Sequence, residues 1–257
     1  HKTEQLDSLI SKKEQLIQLL QEERTAMINQ AVTKGLDPNV PMNDSGIEWL
    51  GEIPAHWEVR PLKNFVQCNS ETLKDSTNPE LEIEYIEIGD VDYEKGIQNT
   101  STYLFSKAPS RARRVVRHGD IIISTVRTYL KAITSIDSRL DGFVASTGFA
   151  VLKPIGIKSS FLGCIAKTEG FIGEIISMSR GVSYPSITAQ DLINIKIPFT
   201  NIKEQIEIAE FVNIENNRIT EIINIAKNEI QLLKEYKIAL ISEVVTGKVD
   251  VSEEILN

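Results

Sequence analysis

Two segments, one near each end of the chain, repeat apolar residues at alternating spacings of four and three. This spacing places one narrow apolar stripe along an α-helix and is typical of a coiled coil. Gly35 and Gly247 follow the two segments, where a glycine commonly ends a helix. The predicted contact residues of the stripes, called the seam below, are Leu6, Ile10, Ile17, Leu20, Met27, Ile219, Ile223, Ile230, Leu233 and Leu240.

The two stripes belong to an internal repeat. A shift of 213 positions places Gln18-Leu19-Leu20 on Gln231-Leu232-Leu233, and Val32-Thr33 on Val245-Thr246. The match runs without gaps, and helical composition alone does not readily account for it. We therefore expect each helix to pair with its own repeat. Because one helix enters the middle region and the other leaves it, the pair is expected to be antiparallel, with Leu20 and Leu233 in one layer.

The second repeat has a lead-in that the first lacks. Asn201 and Glu204 are spaced as a helix N-cap and capping box, which predicts a short helix before the second stripe. The chain begins, with His1 rather than Met, at a position equivalent to Ile214. This difference predicts that the chain is the C-terminal portion of a longer parent, or one half of it.

The region between the repeats has a different pattern, with prolines, glycines and β-branched runs in place of the helical period. Predicted strands are 81–88, 120–126, 143–152 and 193–197, and predicted helices are 158–167 and 169–178. Trp49 and Trp57 lie close together in its first part and are more typical of a packed hinge than of base stacking.

The predicted fold class is therefore α/β, more specifically mixed α+β, flanked by two long helices that form an antiparallel coiled coil. Residues 1–37 form the first repeat helix, residues 38–200 the middle domain, and residues 201–257 a short helix followed by the second repeat helix.

The net charge of −8 alone argues against binding to nucleic acid, but the charges are unevenly distributed along the chain. Both terminal regions are acidic, whereas the middle region is nearly neutral. Within it, Lys107 to Arg139 carries eight Lys or Arg residues against only Asp120 and Asp137. This basic stripe is the electrostatic feature that would suit a phosphate backbone.

Composition excludes several classes of protein. No apolar run reaches the length of a membrane span, so no membrane partner is expected. Cys68 and Cys164 have no metal-like spacing and are expected to be reduced thiols of a cytoplasmic protein.

Short catalytic motifs are also missing from the sequence. The three histidines form no metal-binding spacing, and no phosphate loop or glycine-rich dinucleotide fingerprint occurs. The carboxylates between Glu80 and Glu94 are more typical of a solvated strand face than of a nuclease metal site. We expect no catalytic residue, no metal and no cofactor.

Two polar, basic segments remain as candidates for binding. Ser124–Lys131 follows an apolar run, and Ser179–Ser186 combines hydroxyl groups with one Arg and one Tyr. Such side chains suit phosphates and base edges, although ordinary surface loops have similar composition. With the basic stripe, the candidate DNA-binding residues are Lys107, Arg111, Arg113, Arg114, Arg127, Thr128, Tyr129, Lys131, Arg180, Ser183 and Tyr184. Arg113 is expected to neutralise phosphate, because Arg111, Arg113 and Arg114 lack hydroxyl or aromatic neighbours, and Arg127 is expected to contact a base edge.

Several motifs, in one order, resemble those of type I restriction-modification specificity subunits. Asp44–Pro54 followed by His56–Val59 resembles the start of a target recognition domain in that family. Tyr85–Val91 and Gly119–Arg127 resemble its strand signatures, and Ser146–Phe149, 181–191, Glu204-Gln205 and Ile208-Ala209 resemble later ones. Each motif alone is modestly specific, but their shared order and the flanking repeat are strong evidence, and the resemblance covers nearly the whole chain.

The resemblance implies a second target recognition domain with both conserved spacer helices. Its partners would be double-stranded DNA, methyltransferase (modification) subunits and, through them, the restriction subunit. It further implies one recognition domain per half of a split DNA site. A helix from Thr3 to Thr33 spans roughly 46 Å, a length suited to separating half-sites about 34–36 Å apart. A half subunit could also self-associate through its repeats.

Two other functions fit parts of the sequence. A coiled-coil adaptor between proteins would account for the helices but not for the basic stripe. An independent nuclease or methyltransferase would require a metal or cofactor motif that the sequence lacks.

Overall fold

The computed structural model describes residues 2–247, so His1 and residues 248–257, the end of the predicted second repeat, lie outside the described residues. The chain divides into two compact units. Their described parts are the helical unit, residues 2–27 and 213–247, and the α/β unit, residues 28–212. The predicted boundaries, after residues 37 and 200, instead follow the ends of the long helices.

The helices and strands of residues 2–247 are numbered in chain order. They are α1 (Lys2–Lys34), β1 (Met42–Asp44), β2 (Glu52–Pro54), β3 (Glu58–Pro61), β4 (Val66–Cys68), β5 (Glu82–Ile86), β6 (Val91–Asp92), β7 (Gly96–Ile97), β8 (Ser101–Leu104), β9 (Ala112–Val115), β10 (Ile121–Ser124), β11 (Ile133–Ser135), β12 (Val144–Ser146), β13 (Phe149–Pro154), α2 (Ser159–Ala166), α3 (Glu169–Met178), α4 (Ala189–Asn194), β14 (Lys196–Phe199) and α5 (Ile202–Val245). Short 3-10 turns lie between several of them. No helix within this part of the chain is both long enough and apolar enough to cross a bilayer.

The helical unit buries one face of each of its two helical segments. Among the ten seam residues, Ile10, Leu20, Ile219, Ile223 and Ile230 are buried, and the other five are half-buried. Ionic contacts flank this apolar stripe. Lys13 Nζ donates to Glu229 at 2.6 Å, and Lys237 Nζ donates to Asp7 at 2.5 Å. The second contact links the start of one segment to the later part of the other, and the first joins their middle parts.

The contacts also follow the internal repeat. Arg24 donates to the Thr220 hydroxyl at 2.9 Å, while Lys237 binds Asp7. A shift of 213 positions converts Arg24 into Lys237 and Asp7 into Thr220, so the two pairs are equivalent. The same layer therefore occurs twice, once near each end of the unit.

The predicted layer of Leu20 with Leu233 does not form. Leu20 packs instead against Ile219 and Ile223, and Leu233 is half-buried elsewhere along α5. The reason is the direction of the contacts, in which residues late in one segment meet residues early in the other. Equivalent residues of the repeat then lie in different layers.

The second repeat is one uninterrupted helix rather than a short helix and a separate spacer. α5 runs for 44 residues from Ile202 to Val245. No proline or glycine lies within it to break the backbone hydrogen bonds. Gly35 and Gly247 follow α1 and α5 with φ of 71° and 70°, the left-handed conformation expected of a glycine at a helix end.

Two four-stranded sheets form the centre of the α/β unit. The first has the order β11-β10-β13-β4 and consists of antiparallel pairs. The second has the order β8-β5-β12-β9, in which β5 and β12 are parallel and the other pairs antiparallel. Apolar residues from both sheets, including Ile86, Ile122, Ala145, Phe149 and Val151, share one buried cluster.

The predicted elements match this architecture in part. The predicted helices 158–167 and 169–178 correspond to α2 and α3. The predicted strand 143–152 is two strands, β12 and β13, which belong to different sheets and are separated at Thr147-Gly148. The predicted strand 193–197 begins later, because α4 occupies its first residues.

The segment that contains both four-stranded sheets has adjacent ends. β3 and β14 form an antiparallel pair in which Glu58 is opposite Phe199 and Pro61 is opposite Lys196. The first turn of α5, which follows β14, adds a cluster of side chains beside this strand pair. Trp57 Nε1 donates to Glu204 Oε1 at 2.9 Å, and the other oxygen of Glu204 accepts from the Thr200 hydroxyl and lies 3.0 Å from His56 Nε2.

Of the predicted capping box, the Asn201 side chain caps the helix, whereas the Glu204 side chain chiefly has other partners. Asn201 Oδ1 accepts the Glu204 backbone N–H at 3.0 Å, as predicted, but the Glu204 carboxylate chiefly binds Trp57, His56 and Thr200. The next residue, Gln205, is fully buried, accepts the Lys158 backbone N–H at 2.8 Å and donates to the Thr200 carbonyl at 2.7 Å.

Replacement of Leu20 tests the seam. Leu20 is 7% exposed and its neighbour Leu19 is 61% exposed. We expect Leu20→Ala to lower the free energy of unfolding of the helical unit by about 2 kcal/mol, because it removes buried apolar contacts. Leu19→Ala should change it by less than about 0.5 kcal/mol. Denaturant titrations followed by circular dichroism measure both, and equal effects would contradict the seam assignment.

Replacement of Glu204 tests the cluster around Trp57. Glu204→Ala leaves the buried indole N–H without its acceptor, and we expect the free energy of unfolding to fall by about 2 kcal/mol. Glu207→Ala is the matched control, since Glu207 lies on the same helix and makes only an exposed pair with Lys203. Thermal and urea unfolding of both variants supply the comparison, and a stable Glu204→Ala variant would show that the cluster contributes little.

Candidate nucleic-acid interface

The two polar, basic segments lie against each other, and residues 124–131 and 179–187 are called the paired loops below. The Arg127 backbone N–H donates to the Pro185 carbonyl at 2.7 Å, and the Ile187 N–H donates to the Thr125 carbonyl at 2.9 Å. The Thr128 and Ser179 hydroxyl groups are 2.8 Å apart. Segments that are distant in sequence therefore form one surface.

The first paired loop emerges from the core. All four residues of β10 are buried, and the loop then forms a 3-10 turn over Thr128–Leu130. Arg127 and Lys131 flank this turn with φ of 50° and 51°, a left-handed conformation that is uncommon for residues other than glycine. Backbone hydrogen bonds hold the turn, from Leu130 to Arg127 at 2.9 Å and from Lys131 to Thr128 at 3.1 Å. Such strain is frequent at binding sites, where surrounding contacts maintain it.

The cations of this loop lie over aromatic rings. The Arg127 guanidinium is 4.8 Å from the ring centroid of Tyr184, and Lys131 Nζ is 5.5 Å from that of Tyr93. Tyr184 is 64% exposed, so the Arg127 side chain is oriented by an aromatic face at the surface. A guanidinium held in this way retains its hydrogen-bond donors for a ligand.

The second paired loop contains a tight hairpin. Arg180 and Ser186 exchange backbone hydrogen bonds at 2.9 Å in both directions, which closes residues 180–186. Gly181 has a φ of 103°, and a Cβ there would lie 3.2 Å from the Tyr184 carbonyl oxygen. The hairpin therefore requires glycine at this position. Arg180, Val182, Ser183 and Tyr184 are all exposed around it.

Thr128 is the predicted DNA-binding residue that the structure places least favourably. It is only 4% exposed, and its hydroxyl group binds Ser179. Thr128 therefore joins the paired loops instead of presenting a hydroxyl group to a ligand. Tyr129, beside it, is exposed.

The expectation that Arg113 and Arg114 lack aromatic and hydroxyl neighbours is wrong. The Arg113 guanidinium lies 4.7 Å from the Phe105 ring centroid and pairs with Asp75 at 3.2 Å. Arg114 donates to the Thr72 hydroxyl at 3.1 Å. Both side chains are partly buried, because β9 lies within the second sheet and its partners lie on segments distant in sequence.

Two further arginines of the basic stripe are also engaged in ion pairs. Arg117 donates to Glu71 through two nitrogens, at 2.9 and 2.8 Å, and Arg139 donates to Asp137 at 2.7 Å. Lys107 and Arg111 are exposed. Arg111 lies next to the Thr147 loop, since its carbonyl accepts the Thr147 N–H at 2.8 Å. The stripe thus divides into residues paired within the unit and residues available at its surface.

Tyr93 and Val182 belong to this surface but were not predicted from the sequence. Tyr93 lies in an acidic stretch, and only the fold brings it to Lys131. Val182 is a single apolar residue in a polar segment. Its position directly after Gly181, in a pattern typical of a hairpin, is the one sequence feature that could have indicated it.

Comparison with known proteins identifies the family to which this mixed α+β chain belongs. The family model "Type I restriction modification DNA specificity domain" matches residues 54–232. The chain belongs to this family.

Specificity subunits are among the most similar curated proteins. The MjaVIII specificity subunit of Methanocaldococcus jannaschii is 28% identical over 255 residues, which cover 95% of this chain and 58% of that protein. The putative MjaX specificity subunit of the same organism is 25% identical, with coverage of 95% and 55%. The chain thus spans little more than half the length of these relatives.

Solved structures from type I restriction-modification systems have a similar fold. The HsdS subunit from Thermoanaerobacter tengcongensis matches with a TM-score of 0.59 and 32% identity, over 66% of this chain and 44% of that one. A structure described for complex assembly and conformational transition of the type I system matches with a TM-score of 0.64 and 30% identity, over 73% and 50%.

The pairing of Arg117 with Glu71 makes a pH-dependent prediction. The hydrogen bond from Arg117 holds the pKa of Glu71 below its ordinary value of 4.5. A lowered pKa in the folded state contributes stability above the unfolded pKa, and this stability is lost as the pH falls through the folded pKa. We expect Arg117→Ala to be less stable than the wild type near neutral pH, with a difference that shrinks below about pH 4.5.

Urea unfolding across this pH range measures that difference. Arg180→Ala is the control, because no described carboxylate pairs with Arg180, and its stability should parallel that of the wild type throughout. A difference for Arg117→Ala that stays constant with pH would contradict the pairing.

Proposed function

We propose that this chain is a sequence-reading part of a type I specificity subunit and has no catalytic site of its own. It binds one half of a bipartite double-stranded target and supports methyltransferase subunits, which carry out modification and connect it to the restriction subunit. The joining of residues 124–131 and 179–187 into one exposed surface is the observation that carries this proposal.

The chemistry of the paired loops supports DNA as the ligand. Residues 121–135 and 179–187 contain no Asp or Glu, while Arg127, Lys131 and Arg180 supply positive charge. Tyr129, Ser183 and Tyr184 add exposed aromatic and hydroxyl groups. Together these groups suit phosphate oxygens and base edges. Lys107 and Arg111 extend the positive surface and are proposed as phosphate contacts.

The helical unit supports the scaffolding part of the proposal. The contacts of Lys13 with Glu229 and of Lys237 with Asp7 fit an antiparallel coiled coil. Leu19 and Leu232, equivalent in the repeat, are both more than 60% exposed and offer apolar contacts for methyltransferase subunits. α1, with 33 residues, is about 50 Å long, which suits a spacer between half-sites. An adaptor without DNA binding would leave the paired loops without a role.

Reconstitution with the cognate methyltransferase subunits tests the function directly. The complex should methylate adenines within one defined bipartite sequence, and sequencing of the modified DNA would identify it. Methylation without sequence preference, or failure of the chain to recruit the subunits, would count against the proposal.

Replacement of Arg127 tests the reading surface. We expect Arg127→Ala to weaken binding of the complex to its target by about 1–3 kcal/mol, with a much smaller loss on random DNA. Arg139→Ala is the control, because Arg139 belongs to the same basic stripe but pairs with Asp137. Binding isotherms on both DNAs at several salt concentrations decide the outcome. Equal losses on the two DNAs would make Arg127 a phosphate contact instead.

A further inference from the structure

Val182 is the most exposed large apolar residue of the described chain. Its relative exposure is 102%, so the side chain touches almost nothing in the protein. It lies near the tip of the hairpin 180–186, between Gly181 and Ser183. An apolar side chain in this position gains contacts only from a ligand.

The backbone that carries Val182 is braced on both sides. Arg180 and Ser186 close the hairpin with two hydrogen bonds, and Pro185 accepts the Arg127 N–H from the other paired loop. Gly181 lies between Arg180 and Ser186 with a φ of 103°, a conformation that favours glycine. The valine is therefore presented in a defined place and does not fold back onto the core.

The surroundings of the hairpin indicate what it contacts. Arg180 flanks Val182 in sequence, and the Arg127 guanidinium lies over Tyr184 of the same hairpin. No acidic residue occurs in residues 179–187. An apolar tip with cations beside it is complementary to a DNA groove, where phosphates line the edges and bases form the floor.

The apolar tip selects the groove. The major groove of B-DNA is about twice as wide as the minor groove, and it is the groove in which a base edge carries an apolar group. The apolar group that projects farthest from a base edge in the major groove is the C5-methyl group of thymine. A valine placed against a polar edge would remove water from that edge without replacing its hydrogen bonds, so only thymine offers a matching surface.

We propose that Val182 contacts the C5-methyl group of a thymine in the major groove and selects an A·T pair at one position of the half-site. This inference rests on the proposed function and names one of its specificity-determining residues. Cytosine lacks the methyl group at this edge, so a G·C pair would lose the contact.

Deoxyuridine provides a direct probe, because it differs from thymidine only in lacking the C5-methyl group. The complex with methyltransferase subunits is titrated with its target duplex and with duplexes in which one thymine at a time is replaced by deoxyuridine. We expect affinity to fall about fourfold at one thymine, as for the loss of one buried methyl group.

Variants of Val182 assign that effect. Val182→Ala should bind the thymine duplex at least about fourfold more weakly and should no longer distinguish it from the deoxyuridine duplex. Val182→Ile should retain the distinction. Ile155→Ala is the control, because Ile155 is also an exposed apolar residue of the α/β unit but lies outside the paired loops, and it should respond to deoxyuridine like the wild type. Because Val182 is fully exposed, its replacement should leave folding unchanged, and misfolding would not explain a loss of DNA affinity.

Two results would overturn the inference while leaving the proposed function intact. One is a wild-type complex that binds every deoxyuridine duplex as tightly as its target. The other is Val182→Ala retaining the full response to deoxyuridine. A wild-type complex that does not distinguish its target from random DNA would overturn the proposed function and this inference together.

Discussion

Burial of β10 is the constraint on which the candidate interface depends. Its residues Ile121–Ser124 lie between β11 and β13 and are shielded from solvent, so polar side chains can be presented only after the strand ends. There the Ser124 hydroxyl donates to the Val126 carbonyl, and the chain turns sharply into the left-handed Arg127. The backbone of Arg127 in turn holds Pro185 of the second loop. The position of the candidate binding side chains is therefore determined by the core beneath them.

Charge along the sequence and charge available at the surface differ in this protein. The stripe from Lys107 to Arg139 is strongly basic, yet Arg117 and Arg139 form ion pairs with nearby carboxylates, and Arg113 pairs with Asp75. Some of those carboxylates lie outside the stripe, so a count within it overlooks them. The pair of Arg113 with Asp75 also links β9 to a distant segment. Part of the basic composition thus contributes to the fold instead of to ligand attraction.

Periodic features were predictable from the sequence, and features that depend on tertiary contact were not. The seam residues, α2, α3 and the glycine helix ends follow from spacing and local conformation. The break between β12 and β13 was missed because the apolar run continues while the chain passes from one sheet to the other. Glu204 was read as a local cap, although its carboxylate binds Trp57, 147 positions away. Of the predicted binding residues, Thr128 was misplaced for the same reason, because its partner Ser179 comes from a distant loop.

The antiparallel pairing of β3 with β14 joins the two points of the chain between which both four-stranded sheets lie. A segment whose ends are neighbours behaves as a cassette, because its replacement leaves the spacing of the flanking chain unchanged. Residues 62–195, which include both paired loops, can therefore diverge or be exchanged as a block while the clasp of Trp57 and Glu204 beside the strand pair persists. Recombination at two short, structurally fixed joints is then enough to exchange the whole candidate interface.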